Sequence, residues 1–357
     1  MRLILFGLLF PFLLFSESLV QRYPSYNYVL SEFDIESDYI DNEDFIMFVQ
    51  RNERSLKRFY RHSLQRGESI IRLLRGELLD DGLSDLFLYL SIVESGLSTD
   101  AVSPKSAAGL WQFMPKTARL YNLEVCYGVD ERCDPFVSTK AAIAHLRSLH
   151  RKFGKWYLAV MAYNCGEGRL QKAIRKARTD DIEVLLDEKA KYLPKETREY
   201  MKKILLIAMI GENEMIDFAV TPGEELIQVE VAGGTDLEEI AKLLGMPPED
   251  LLRMNRMFSQ GKVPHDRGVY QIMIPESRMA RFYLRYRLPE KRVVLKPNFV
   301  SHEVSMGDTL ESIAQHYNSS VGEIKAANHL ENEILELGRI LLVPVSEAYF
   351  DSLLTGE

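Results

Sequence analysis

Glu94 is the residue in this chain best placed to do chemistry. It ends a run in which Leu83, Leu86, Leu90 and Val93 form an apolar stripe at helical spacing. Ser84 or Asp81 would cap that helix and Gly96 would stop it. A carboxyl at a helix C-terminus meets the negative end of the peptide dipoles, and apolar neighbours add a desolvation penalty. Both effects favour the protonated form. An acid that keeps its proton near neutral pH can protonate a glycosidic oxygen. Taken alone, the same pattern also describes an ordinary solvated helix end.

Two further segments carry side chains suited to a sugar cleft. In Gly109-Leu110-Trp111-Gln112-Phe113-Met114-Pro115, Gln112 and Met114 lie two apart, so an extended turn presents both to one side. The amide can bond an acetamido group or a hydroxyl, and the thioether gives an adaptable apolar contact. Trp111 and Phe113 would pack such a loop whether or not it binds anything. Ala162-Tyr163-Asn164-Cys165-Gly166-Glu167-Gly168 ends a second helical run with two hydrogen-bonding side chains and a glycine stop. No strand precedes it and no Lys-Ser/Thr follows, so it is not a phosphate loop.

Other chemistries find no support. The seven histidines are scattered, and His145 and His150 do not share a helix face well, so neither metal nor cofactor is expected. No Gly-x-Ser-x-Gly elbow is present. Cys165 lacks the partners of a thiol nucleophile. Cys126 and Cys133 flank a glycine-containing loop, and an exported chain could pair them in a disulfide; otherwise they are two ordinary thiols.

The chain of 357 residues is long enough for two or three domains, and 46% apolar residues are enough to build their cores. A formal net charge of -8 argues against nucleic acid as the main partner and against simple attraction to anionic lipid. Met1-Arg2 followed by the apolar run Leu3 to Phe15 and then Ser16-Glu17-Ser18 reads as a signal peptide over 1–18. The chain is therefore expected in the periplasm or cell envelope of a bacterium. Membrane association would follow only if that segment stayed uncleaved.

Helical patterning fills the first two thirds. Residues 19–60 read as a polar lead-in followed by a helix, and 61–216 as one large helical domain without alternating strands. Within it, Ser138 would cap a helix ending at Gly154, another would run from Trp156 to Gly166, and another from Lys195 to Ile210. The last third repeats. A shift of 73 places Val231 on Val304, Gly234 on Gly307, Leu237 on Leu310, Ile240 on Ile313 and Asn255 on Asn328. Each copy reads strand–helix–helix–strand, with capping boxes expected at Thr235/Glu238 and Asp308/Glu311. The modules span 225–276 and 301–345, joined by a linker over 277–300 that partly packs on one module, with a tail at 346–357.

Six segments together resemble the soluble lytic transglycosylase family. They are Glu94-Ser95-Gly96-Leu97, Ser103-Pro104, Ala108 to Pro115, Asp130 to Pro135, Ala162 to Gly168 and Leu193 to Tyr200, in matching order and spacing. The C-terminal repeats resemble LysM modules, the first of them degenerate. The resemblance implies a multidomain chain with a mainly α, lysozyme-like (goose-type) catalytic domain and two small α+β modules of βααβ form. It makes Glu94 the single catalytic acid/base. Ser95, Ser103, Gln112, Met114, Tyr163 and Asn164 would line sugar subsites, and Glu196 and Tyr200 would close the far wall. Ser106 stands where the family usually has Gly, and Cys165 where it has Ala or Ser. The implied partner is peptidoglycan, with N-acetylglucosamine units held at the LysM modules of a monomer. The implied reaction cuts the β-1,4 bond between N-acetylmuramic acid and N-acetylglucosamine, leaving a 1,6-anhydro end. A hydrolytic enzyme on the same fold and a non-catalytic LysM scaffold are the alternatives.

Overall fold

The computed structural model describes residues 18–214, 224–265, 268–288, 298–330, 332–346 and 349–350. The expected signal segment lies almost wholly outside the described residues. The chain divides into two compact units, Met1–Lys57 with Phe153–Ile216, and Arg58–Lys152 with Asp217–Glu357.

The first unit is all helical among its described residues. It contains α1 (Leu19–Arg22), α2 (Tyr26–Glu32) and the first part of α3 (Glu43–Gly67). It also holds α8 (Trp156–Cys165), α9 (Glu167–Ala177), α10 (Ile182–Leu186) and α11 (Lys195–Asn213). The expected polar lead-in is in fact core. Val29, Leu30, Phe33, Tyr39 and Ile40 are buried, because the tyrosines and acids of this stretch alternate with apolar residues over short helical turns. Helix α8 runs and stops as its sequence predicts, with Gly166 at φ 84°. Helix α11 continues one turn past the expected Ile210, since Leu205 to Ile210 are all buried and keep it anchored.

The second unit begins with the rest of α3 and continues through α4 (Ile71–Asp80), α5 (Leu88–Ser95), α6 (Pro115–Leu120) and α7 (Pro135–Phe153). Helix α7 starts three residues before the expected Ser138 cap. Asp134 is the cap, its Oδ1 accepting from the amides of Phe136 and Val137, both at 2.8 Å. Ser138 is buried in the first turn and donates to the Asp134 carbonyl. A two-residue ladder, β1 (Val125–Cys126) against β2 (Val129–Asp130), interrupts the helical run.

Two βααβ modules complete this unit. The first has β3 (Leu226–Ala232), α12 (Leu237–Leu244), α13 (Pro248–Met254) and β4 (Val269–Pro275), with β3 and β4 antiparallel. The second has β5 (Asn298–Glu303), α15 (Leu310–His316), α16 (Val321–Asn328) and β6 (Ile340–Val345), with β5 and β6 antiparallel. Between them, α14 (Met279–Arg285) falls within the expected linker. It buries Phe282 in the first module's core, and Arg281 donates to the Leu244 carbonyl at 3.0 Å.

The repeat is physical as well as textual. Asn255 donates to the carbonyls of Leu251 (2.9 Å) and Met273 (2.8 Å), and accepts from the Met273 amide (2.7 Å). Asn328 does the same with Ile324, Leu342 and the Leu342 amide at 2.8, 2.7 and 2.8 Å. Each asparagine thereby staples its second helix to its closing strand. The helix caps differ from the expected boxes by one residue. Asp236 caps α12, and Thr309 caps α15 in a box with Ser312, because in each case the preceding residue still belongs to the turn.

Candidate functional site

Glu94 sits one residue from the C-terminal end of α5, half-buried. Upstream, Ser84 caps the short 3-10 turn that leads into α5 by accepting from the Leu86 amide at 3.3 Å. Leu86, Leu88, Leu90 and Ile92 are buried and clamp the helix. Downstream, Gly96 adopts φ 61°, the left-handed conformation that ends a helix without a Cβ penalty. A Cβ there would also meet Arg66 at 2.8 Å. Arg66 donates to the Gly96 carbonyl at 2.8 Å, placing a cation at the helix end that otherwise carries only carbonyl dipoles. Ser95 turns its hydroxyl back to the Ser91 carbonyl at 3.1 Å.

The loop from Ala101 to Met114 is the second part of the site and belongs to the same unit. Leu110, Trp111 and Phe113 are buried, and the Trp111 indole donates to Thr139 at 2.9 Å. With those side chains inward, Gln112 is half-buried and Met114 is 43% exposed, as the alternation of the sequence requires. Gln112 has φ 48°, a conformation L-residues rarely take. Its amide nitrogen holds the turn by donating to the carbonyls of Ala101 (3.1 Å) and Gly109 (2.9 Å). Ser103 accepts from the Ala107 amide at 3.0 Å, so its hydroxyl shapes the loop from within.

Sequence reasoning missed the residue that pins this loop. Arg132 is buried and donates from one guanidinium nitrogen to the carbonyls of Ser106 (2.7 Å) and Phe113 (3.0 Å). Its other nitrogens pair with both oxygens of Asp130 at 2.8 and 2.7 Å, a fork-on-fork geometry. The loop backbone also rests directly on this residue, since a Cβ on Gly109 would lie 1.7 Å from the Arg132 carbonyl. The signal was the Asp130-Glu131-Arg132 triplet, but nothing local says which carbonyls an arginine will reach.

The first unit carries the remaining candidates. Tyr163 and Asn164 lie at the end of α8, both half-buried, and Asn164 accepts from the Thr197 hydroxyl at 2.9 Å. That bond ties α8 to α11, which bears Glu196 and Tyr200. Glu196 is exposed, whereas Tyr200 is 5% exposed and chiefly a packing residue. A cavity of about 400 Å³ at the start of α9 is lined by Cys165, Gly166, Gly168, Arg169 and Lys172. Burial pushes the Cys165 thiol up, the opposite of what a nucleophile needs.

None of the three cysteines forms a disulfide in the structure. The Cys126–Cys133 disulfide is therefore absent: Cys126 turns its thiol to the Glu124 carboxylate at 3.2 Å, while Cys133 is buried in a 3-10 turn. Burial pushes the Cys133 thiol up to about 12. Among the described residues, no group of three His, Cys, Asp or Glu could hold a metal ion. No helix among them is long and apolar enough to cross a membrane.

Three family profiles match the chain. Residues 80–186 match the transglycosylase SLT domain, 225–291 the LysM-like domain of lytic transglycosylase MltD, and 302–344 the LysM domain. Membrane-bound lytic murein transglycosylase D of Escherichia coli (strain K12) is 28% identical over 312 residues, covering 82% of this chain and 68% of that protein. A putative tributyltin chloride resistance protein of Alteromonas sp. (strain M-1) is 40% identical over 86 residues, 24% of this chain and 42% of its own. Among solved structures, the 70-kDa soluble lytic transglycosylase of Escherichia coli matches with 22% identity and a TM-score of 0.36. That match covers 42% of this chain and 25% of the other. An inactive variant of lytic transglycosylase Slt from Pseudomonas aeruginosa matches with 26% identity and a TM-score of 0.34, over 40% and 24%. Segments of the chain thus match, in order, the transglycosylase SLT domain, the MltD-type LysM-like domain and the LysM domain, and 82% of its length is similar to membrane-bound lytic murein transglycosylase D.

Proposed function

We propose that this chain is a peptidoglycan lytic transglycosylase with Glu94 as its single acid/base. The observation that carries the reading is the placement of Glu94, half-buried at a helix end within the SLT-matching segment and on the same unit as a pinned loop bearing Gln112 and Met114. Glu94 donates its proton to the oxygen of the β-1,4 bond between N-acetylmuramic acid and N-acetylglucosamine. The substrate's own 2-acetamido group covers the developing cation, so no second carboxylate is required. The resulting glutamate then takes the proton from the muramic 6-hydroxyl, whose oxygen closes on C1 and leaves a 1,6-anhydro end. No water is consumed.

The neighbouring side chains divide the remaining work. The amide nitrogen of Gln112 is committed to the loop, which leaves its carbonyl oxygen for a substrate N–H or hydroxyl. Met114 offers an exposed apolar contact. Ser95 and Ser103 set local backbone geometry and border the subsites; on the first unit, Tyr163, Asn164, Glu196 and Tyr200 are the further sugar-binding candidates that the resemblance implies. The protein works as an exported monomer in the cell envelope, and its LysM module retains it on glycan through N-acetylglucosamine. A weak module tethered to a catalytic domain raises the effective concentration of enzyme on an insoluble polymer. Digestion of purified murein tests the reaction. Muramic ends lighter by one water than the hydrolytic product support it, and reducing ends would make the enzyme a lysozyme.

A further inference from the structure

The two C-terminal modules share a fold but stand in different relations to the rest of their unit. Among the described residues, the core of the second draws on the module and the segment after it: Val304, Leu310, Ile313, Val321, Ile324 and Leu341 cluster there. The core of the first takes in a residue from outside. Val129, from the β1–β2 ladder, is 1% exposed and packs among Val231, Leu251, Phe258 and Tyr270, with Cys126 against its edge.

Main-chain bonds reinforce this insertion. The Asp130 amide donates to the Met257 carbonyl at 2.8 Å, and the Ser259 amide donates to the Gly128 carbonyl at 3.2 Å. Val129 and Phe258 form an antiparallel bridge between them. Gln260 donates to the Tyr127 hydroxyl, and Arg256 lies 3.7 Å from Asp100, just before the loop that carries Ser103. Turn and module are joined by backbone pairing around a buried valine, which is how elements of a single domain are joined.

The consequence runs through one residue. Asp130 is held by its amide to Met257, its carboxylate holds Arg132, and Arg132 holds the carbonyls of Ser106 and Phe113. We propose that the first LysM-like module is a brace for the catalytic domain, with Val129, Asp130 and Arg132 as positioning residues that fix the Ser103–Met114 loop. This assignment rests on the transglycosylase reading for its effect on turnover, but not for its effect on the loop. Retention on glycan then falls to the second module.

Two variants undock the module in the full-length protein. Val129→Asp places a charge in the shared core, and the milder Tyr127→Ala/Arg256→Glu pair weakens the rim and repels Asp100. Hydrogen–deuterium exchange reads the loop directly through amides bonded within it, Ala108 to Phe113 and Phe113 to Ala108, both at 3.1 Å. The brace predicts that these amides exchange about tenfold faster or more, while those of α5 keep their protection. It also predicts that kcat falls about 10- to 100-fold, because a reacting bond held loosely is cut slowly. Binding to insoluble murein should be unchanged. Unchanged exchange in both variants would overturn the proposal. So would faster exchange with full kcat, or a loss of murein binding without loss of kcat. Glu94→Gln, run alongside, separates the two ideas: if that variant keeps full activity the assignment of Glu94 as acid/base fails, whatever the exchange shows.

Discussion

Arg132 meets the carbonyl of Phe113 at 3.0 Å, and through that bond a buried cation sets the conformation of the loop that carries Gln112 and Met114. Its side chain is 8% exposed, against 28% for its partner Asp130, so removing either leaves a charge that solvent reaches poorly. Arg132→Met should destabilise the second unit by about 2–4 kcal/mol, through a stranded carboxylate and the loss of the bonds to the Ser106 and Phe113 carbonyls. Asp130→Asn keeps an acceptor for the guanidinium and should cost about 1 kcal/mol. Denaturant unfolding measures both. Equal effects from the two would show that the pair acts as packing and does not depend on its charge.

The paired asparagines offer a comparison within one molecule. Asn255 is 2% exposed, so Asn255→Ala strands the Met273 amide and carbonyl in a dry core and should cost about 2–3 kcal/mol. The same three bonds at Asn328 lie partly open to water, and Asn328→Ala should cost about 1 kcal/mol. If the first module braces the catalytic domain, only Asn255→Ala should slow turnover. Module-resolved hydrogen exchange with murein digestion rates checks both statements.

Glu188 gives the first unit a pH signature. Burial alone would raise its carboxyl, but contacts from Arg198 (2.7 Å) and Lys202 (2.9 Å) outweigh it and hold the group at about 2, below its ordinary 4.5. A depressed folded-state value means stability that is fully present above pH 4.5 and lost as pH falls toward 2. Glu188→Gln should therefore destabilise the unit at pH 6, and the difference should shrink steadily below pH 4.5. Its side chain is 39% exposed, so screening limits the effect at pH 6 to about 1–2 kcal/mol. A difference that stayed constant from pH 6 to pH 3 would contradict this.

Much of the fold follows from local rules, and what does not depends on distance. Gly96 and Gly166 stop their helices as expected because a left-handed residue is a local demand. The modules were readable because their cores repeat at fixed spacing. The caps moved by a residue or more because several acceptors near each start compete, and only the turn geometry chooses among them. Residues 19–40 read as a polar lead-in because buried Phe33 and Tyr39 alternate with acids such as Asp34 and Asp38. The sequence also hides the bond from Arg132 to Phe113 and the entry of Val129 into a module more than a hundred residues away. The candidate site divides similarly. Glu94, Gln112 and Met114 are legible as candidates by position, as are Ser84 and Gly96 at the ends of the run that carries Glu94, whereas Arg66 and Arg132, which reach the helix end and the loop from afar, are not.

The absence of a disulfide among the three cysteines makes a simple chemical prediction. Unfolded in the absence of reductant, the protein should take up three equivalents of an alkylating reagent at Cys126, Cys133 and Cys165. In the folded state Cys133 should react last, since it is buried and its thiol is pushed up to about 12. Mass spectrometry after labelling counts and locates the additions, and an uptake of one, at Cys165, would mean that Cys126 and Cys133 had paired.

The role of Glu94 is tested most directly by digesting murein with the Glu94→Gln protein beside the native one. An amide of the same shape can neither give nor take the proton. Release of soluble muropeptides should fall by about a hundredfold or more, with the melting temperature and binding to murein unchanged. Digestion at the native rate would contradict the account.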